Sequence, residues 1–138
     1  EQFRDHTIEK IYHALVLGKP DARTLMNYLA KDKAKKRADI GVEHGQRAEL
    51  EYEVVGSRGP YSLVKILLKT GRFHQIRAQF SFAGFPVLGD TKYGAPFALP
   101  DKSIALCATS VAFILPTQNE RKTISIPIPS DWGQYAKP

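Results

Sequence analysis

The sequence feature that most constrains the fold is an alternation of apolar and acidic residues near the middle of the chain. In the stretch Ala48–Val55, every second side chain is apolar and the three between them are glutamates. This period of two is typical of a β-strand with one buried and one solvated face. A turn signal, Ser57–Pro60, and a second strand-forming run, Tyr61–Leu68, follow. We therefore expect an antiparallel hairpin.

Other apolar runs predict more strands. They are Ile8–Leu17, which ends at the turn Gly18–Pro20, Ile104–Leu115, which is closed by Pro116, and the alternating stretch Thr123–Ile128. Residues 23–30 fit either a strand or a short helix, and the sequence leaves both open. The chain therefore contains more strand than helix.

One short helix is expected after the hairpin. Four apolar residues recur there at helical spacing: Phe73, Ile76, Phe80 and Ala83. Gly84 suits a left-handed C-terminal cap, so we predict a helix over 73–83 that ends before Phe85. The chain of 138 residues, 43% of them hydrophobic, fits one domain. Because no strand–helix–strand repeat is visible, we predict an α+β domain with a mixed, mostly antiparallel sheet and short helices.

The charge balance favours a polyanionic partner. Twenty Lys and Arg against fourteen Asp and Glu give a net charge of +6 and a pI near 9.5, as in many nucleic-acid-binding domains. The run Lys31–Arg37 concentrates five of these positive charges. It predicts a solvated loop or helix end, or alternatively a direct contact with RNA.

Cysteine usage and hydropathy indicate a cytoplasmic protein. The single cysteine, Cys107, lies in an apolar run and cannot form an intramolecular disulfide, so we expect a buried core thiol in a reducing compartment. No stretch approaches the roughly 20 apolar residues of a membrane helix, and charges throughout the first residues argue against a secretory signal.

The segment Leu68–Arg77 stands apart chemically. Its sequence predicts a strand end, a turn at Thr70–Gly71, and a helix that begins around Arg72 and His74. Free amides at a helix N-terminus and an adjacent guanidinium both attract an anion such as a carboxylate or phosphate. Residues three apart share a helix face, so a second arginine, Arg77, points the same way as His74. Residue types alone leave structural ion pairs and backbone hydrogen bonds equally open.

Sequence motifs across the chain resemble the RNA pseudouridine synthases of the RluA-type family. The resemblance is carried by Thr70-Gly-Arg-Phe-His-Gln-Ile-Arg77, Gly84-Phe-Pro-Val-Leu-Gly-Asp90 and Tyr93-Gly94, with weaker matches at residues 8–18, 104–116 and 126–129. It implies a pseudouridine synthase-like fold and the isomerisation of uridine to pseudouridine in structured ribosomal or transfer RNA. It also implies that the reaction needs no metal and no organic cofactor.

The resemblance assigns roles to individual residues. The family's nucleophile is an aspartate in an Arg-Leu-Asp motif, and none of the seven aspartates of this chain follows Arg-Leu. Arg72 would pair with that aspartate and keep it ionised, while Tyr12, otherwise a core tyrosine, would contact the target base. The expected pocket and structural residues are Leu68, Thr70, Gly71, His74, Gln75 and Asp90, the last as a turn-capping carboxylate. The expected phosphate contacts are Lys10, Arg77, Lys33, Lys35, Lys36 and Arg37.

Three hypotheses about the whole protein follow. The chain opens at Glu1 without a methionine and soon enters a strand, so we expect residues 1–138 to be the C-terminal portion of one catalytic domain. Such a portion alone should be inactive and should self-associate through an unpaired sheet edge. A non-catalytic RNA-binding module derived from the family is the main alternative, and a binder of small phosphorylated ligands around Arg72 is a weaker one.

Overall fold

The computed structural model describes residues 8–21, 23–41, 44–115 and 120–138. These residues form seven strands: β1 (Glu9–Leu17), β2 (Arg23–Asp32), β3 (Arg37–Ile40), β4 (Gln46–Arg58), β5 (Tyr61–Leu68), β6 (Leu106–Leu115) and β7 (Glu120–Ser125). One α-helix, α1 (Gln75–Phe82), and two short 3-10 helices, Thr91–Tyr93 and Ser130–Gln134, complete the described elements.

All seven strands belong to one sheet with the order β3-β2-β4-β5-β1-β6-β7. Each neighbouring pair is antiparallel, which confirms the α+β prediction. The hairpin expected from the glutamate alternation is β4–β5, in which Tyr52 lies opposite Ile66. The edge strand β7 carries an exposed Ile124. Self-association through such an edge stays a prediction.

The charged run is a hairpin turn. Residues 23–30, left open between strand and helix, lie in β2, and the four-residue strand β3 that follows was not predicted. The Asp32 carboxylate accepts the backbone N–H groups of Ala34 and Lys35 at 3.0 and 3.1 Å. This Asx arrangement reverses the chain between β2 and β3. The run is therefore a surface turn and not a helix end, and a direct contact with RNA stays a prediction.

Several boundaries differ from the predicted ones. The helix begins at Gln75, not at residue 73, because His74 adopts a left-handed conformation with φ of 53°. At its other end Gly84, with φ of 96°, allows the N–H of Phe85 to bond the carbonyl of Phe80, as expected for a left-handed cap. The last strand ends at Ser125 because Pro127 has no N–H for the ladder. The predicted stop at Pro116 lies outside the described residues.

Helix α1 covers one face of the sheet. Strand residues of that face, including Leu50, Val64 and Ile66, pack with Ile76 and Phe80 in the largest cluster of buried side chains. Phe80 is fully buried, and its ring meets that of Tyr52 edge-on at a centroid distance of 4.9 Å. This packing fixes the helix against one face of the central strands.

The second face of the sheet is partly covered by the C-terminal segment. Leu15 and Leu63 pack there against Trp132, with Tyr135 at the margin of the same cluster, so both C-terminal aromatics are packing residues. Cys107 lies at this margin too and is only half-buried. The prediction of a buried core thiol was wrong, because the covering segment does not extend over the whole face. None of the described helices is long and apolar enough to cross a membrane.

Two phenylalanines of α1 provide a matched test of this packing. We expect Phe80→Ala to lower the free energy of unfolding by about 3–5 kcal/mol, because it removes a large buried ring and leaves a cavity. Phe82 is 68% exposed, so Phe82→Ala should change stability by less than about 0.5 kcal/mol. Urea unfolding of both variants measures the difference, and equal losses would contradict the described core.

Candidate active site

A pocket of about 240 Å³ lies where β1, β5 and β6 meet the loop that precedes α1. The strands contribute three residues predicted from the sequence, Lys10, Tyr12 and Leu68. The loop and helix contribute five more: Gly71, Arg72, His74, Gln75 and Arg77. The structure therefore brings together eight predicted residues that lie up to 67 positions apart in the chain, as the spacing from Lys10 to Arg77 shows.

The loop before α1 is held by the buried side chain of Gln75. Its Oε1 accepts the hydroxyl of Thr70 at 2.8 Å and the backbone N–H of Arg72 at 2.9 Å. Its Nε2 donates to the carbonyl of Glu49 at 3.1 Å. Thr70 in turn accepts the N–H of Glu49 at 2.9 Å. The first residue of the helix thus ties the loop to strand β4, so Thr70 and Gln75 support the turn from behind the pocket.

The Arg72 side chain is anchored at one end and open at the other. It lies in the loop, three residues before α1, and not at the start of the helix as predicted. Its Nε donates to the carbonyl of Arg47 at 2.8 Å. Among the described residues its two terminal nitrogens have no hydrogen-bonding partner, although the side chain is only half-exposed. A carboxylate or phosphate entering the pocket can therefore be bound by this guanidinium.

Arg77, predicted as a phosphate contact, has a carboxylate partner inside the protein. Its Nε and Nη2 donate to the two carboxylate oxygens of Asp90 at 2.8 and 2.9 Å. Asp90 is 1% exposed and its side chain caps no turn, so the predicted turn-capping role was wrong. The hydrogen bonds to Asp90 raise the pKa of Arg77 above its ordinary value. Buried carboxylates are stable when bidentately paired in this way.

His74 connects this ion pair to strand β3. Its Nε2 lies 3.1 Å from Nη1 of Arg77, and its Nδ1 lies 2.8 Å from the hydroxyl of Tyr93. Because arginine can only donate, Nε2 is the acceptor and the proton of the neutral ring is on Nδ1. Burial, with Arg77 next in importance, lowers the pKa of His74. The Tyr93 oxygen also accepts the N–H of Ala38 at 2.8 Å.

The remaining predicted phosphate contacts lie outside the pocket. Lys33, Lys35 and Lys36 are exposed on the β2–β3 turn. Arg37 is half-buried, because its guanidinium lies over the ring of Tyr93 at 4.9 Å and donates to the Lys92 carbonyl. The turn therefore presents three exposed ammonium groups, whereas Arg37 packs against the protein.

Some residues of the site were not predicted. The backbone carbonyls of Arg47 and Glu49 hold the loop, and Tyr93 holds His74, yet only Tyr93 lies in a recognisable motif. Ile76 and Leu106 complete the apolar lining. The structure shows no steric reason for a glycine at position 71, since a Cβ added to Gly71 would have Lys10 Nζ as its nearest neighbour, at 3.9 Å.

The described residues contain no second site of comparable chemistry. A larger groove of about 530 Å³ on the opposite sheet face is lined by charges of both signs, such as Glu53 and Lys65, which lie opposite each other in the β4–β5 register. No three His, Cys, Asp or Glu side chains within the described ranges lie close enough together to hold a metal ion. The pocket beside Arg72 is therefore the candidate active site.

Comparisons with known proteins match this chain to RNA pseudouridine synthases. Residues 1–82 match the sequence profile of RNA pseudouridylate synthases. The chain is 34% identical to ribosomal large subunit pseudouridine synthase D of Borreliella burgdorferi over 68% of its own length and 30% of that protein. It is 32% identical to an uncharacterised RNA pseudouridine synthase of Chlorobaculum parvum over 94% of its length and 46% of that protein. It thus spans less than half of either curated relative.

Solved structures give the same fold. Human RNA pseudouridylate synthase domain containing 1 superposes with a TM-score of 0.74 and 26% identity over 92% of this chain and 57% of that one. Human RNA pseudouridylate synthase domain containing 4 gives 0.71 at 22% identity over 95% of this chain and 62% of that one. The second likeness shows the fold alone.

The two partly buried histidines predict how stability changes with pH. Burial lowers the pKa of both His74 and His13, and the next contribution comes from Arg77 and Lys65 respectively. The unfolded chain therefore takes up protons first as the pH falls below about 6.5, so stability is greatest above that value and decreases below it.

We expect the free energy of unfolding in urea to be lower at about pH 5.5 than at about pH 7.5, with the difference reduced in a His13→Gln/His74→Gln double variant. Phe82→Leu provides the control, because it changes an exposed side chain that carries no titratable group and should keep the pH dependence of the wild type. A double variant with an unchanged pH dependence would show that these histidines are not the titrating groups.

Proposed function

The chain belongs to the RNA pseudouridylate synthase family, and on that premise we propose that its pocket forms part of an active site that isomerises uridine in structured RNA. One observation carries the proposal. Arg72 lines the pocket together with Tyr12 and Leu68, and among the described residues its two terminal nitrogens have no hydrogen-bonding partner. An anion-binding group and an aromatic group thus meet in one cavity.

We propose that Arg72 binds the family's nucleophilic aspartate. A carboxylate in a half-enclosed pocket is partly desolvated, which raises its pKa, and an adjacent guanidinium opposes this shift and keeps it ionised. The ionised form is the nucleophile. None of the described aspartates lines the pocket, and Asp90 is already paired with Arg77. We propose that the aspartate is supplied by polypeptide outside residues 1–138, because no aspartate of this sequence follows Arg-Leu, and that this chain is the C-terminal portion of the catalytic domain.

Tyr12 and Leu68 suit the target base. An enzyme that acts on a base in folded RNA extrudes that base from its stack, and the lost stacking must be replaced by aromatic and apolar contacts. Tyr12 is half-buried on β1, with its ring at the edge of the main hydrophobic cluster. We assign Tyr12 the face of the flipped uracil and Leu68 the pocket wall.

Lysines at and beside the pocket suit the RNA backbone. Lys10 at the pocket, with Lys33, Lys35 and Lys36 on the turn, would contact phosphates and so fix the position of the RNA without reading its sequence. The name of the Borreliella relative specifies the large ribosomal subunit, and we extend the substrate class to ribosomal or transfer RNA in the cytoplasm. Arg77 has its own carboxylate and acts in this proposal by positioning His74.

A non-catalytic RNA-binding module remains the second candidate function. The observation that favours it is the lack of an Arg-Leu-Asp motif in this sequence. The reading frame upstream of Glu1 separates the two candidates, since an Arg-Leu-Asp motif there supports the enzyme and a frame without one supports the module.

Replacement of Arg72 tests the assigned role. In the complete enzyme we expect Arg72→Ala to reduce isomerisation by roughly a hundredfold to a thousandfold, because one electrostatic partner of the reacting group is lost. RNA affinity should fall less than about tenfold, since other cations also bind phosphates. Arg47→Ala is the matched control, because it removes a neighbouring exposed guanidinium and keeps the carbonyl that holds Arg72. Normal turnover in Arg72→Ala would contradict the assignment.

The 138-residue chain alone should release no tritium from RNA that contains [5-³H]uridine, because it lacks the nucleophile. The complete enzyme serves as the positive control in the same assay. Release by the 138-residue chain would show that another carboxylate acts, and Asp90 would then be the first residue to replace.

A further inference from the structure

An exposed aromatic ring lies on the rim of the pocket. Phe73 is 39% exposed and belongs to none of the hydrophobic clusters formed by the described residues. One face of its ring stacks on the imidazole of His74, with centroids 3.9 Å apart and an angle of 19° between the planes. His74 lines the pocket itself. Phe73 therefore lies outside the pocket, on the far side of the His74 ring.

Among the described residues, an ammonium group lies over the outer face of Phe73. Lys31 Nζ lies 4.3 Å from the centroid of the ring, and it must lie on the outer face because His74 occupies the inner one. Lys31 is exposed, at the end of β2. A cation over an exposed ring is bound weakly, and a stacked nucleobase is bound more strongly. A base can therefore displace the ammonium group without disturbing the core.

The charges around Phe73 match the backbone of a nucleic acid. Lys31 and Lys92 both lie near enough to His74 to lower its pKa. The exposed lysines of the β2–β3 turn follow Lys31 by two to five residues. The carboxylates nearby are already paired, Asp90 with Arg77 and Asp32 with the backbone of the turn. A phosphate chain that passes this rim meets positive charge together with one exposed ring.

We propose that Phe73 is a stacking platform for an unpaired base next to the nucleotide in the pocket, and that Lys31 moves from the ring to the phosphate of that base. The inference rests on the proposed function, since it places a neighbouring nucleotide beside the one that Tyr12 would contact. Stacking on Phe73 is tolerant of base identity, because every base has a π-face. The platform thus sets how the flanking strand is held and not which sequence is chosen.

The test compares two single-stranded probes on the 138-residue chain. One is a fluorescein-labelled oligouridylate of about ten nucleotides, within the usual footprint of a single-strand-binding surface, and the other is the same ribose-phosphate chain without bases. Phe73→Leu keeps an apolar side chain but removes the ring, Phe73→Tyr keeps the ring, and Phe82→Leu changes an exposed phenylalanine at the other end of α1. Thermal melting checks that all variants fold.

We expect Phe73→Leu to bind the oligouridylate about tenfold more weakly than the wild type and the base-free probe equally well, because only base stacking is lost. The dependence of the oligouridylate affinity on salt concentration should not change, since no cation has been removed. Phe73→Tyr and Phe82→Leu should bind like the wild type.

Two different results would overturn the inference. If Phe73→Leu binds the oligouridylate as tightly as the wild type, or loses affinity equally for both probes, the ring is not a platform, while the proposed RNA-binding function stands. If the wild type binds neither probe in a salt-dependent manner, the proposed function fails and the platform fails with it.

Discussion

The site depends on the hydrogen bonds made by the side-chain amide of Gln75. Each of its two polar atoms is bonded to a different part of the fold, Oε1 to the loop at Thr70 and Arg72, and Nε2 to the carbonyl of Glu49 in β4. A buried amide is costly unless its hydrogen bonds are made, so these contacts favour a single loop conformation. Arg72 can then reach the carbonyl of Arg47 with its Nε and keep its other nitrogens in the pocket.

Two arginines five residues apart perform different tasks because their surroundings differ. Arg77 lies on the helix beside Asp90, and the bidentate pair compensates its charge. The pair also fixes His74, which is hydrogen-bonded to Tyr93 and through it to β3. Arg72 lies in the loop with a carbonyl as its described partner, so its charge is uncompensated there. An uncompensated, positioned guanidinium is what a reacting carboxylate requires.

The sequence could predict the features that local patterns carry. Alternation with glutamates predicts the hairpin β4–β5, and the motif around Arg72 identifies the loop and helix residues that line the pocket. The four-residue strand β3 is too short to show a strand pattern in the sequence. The left-handed His74 that delays the helix could not be predicted because its ring is held by Tyr93, which is distant in the chain. For the same reason, the pairing of Asp90 with Arg77 was missed. The roles of carbonyls at Arg47 and Glu49 carry no side-chain signal at all and follow only from the register of the sheet.

The guanidinium of Arg72 is proposed to keep a catalytic carboxylate ionised. The most direct measurement is the pKa of the nucleophilic aspartate in the complete enzyme, followed by carbon NMR of its labelled carboxyl group, with arginine or glutamine at position 72. We expect a higher aspartate pKa in Arg72→Gln than in the wild type, because a neutral amide no longer offsets the desolvation of the carboxylate. An identical aspartate pKa in both proteins would contradict it.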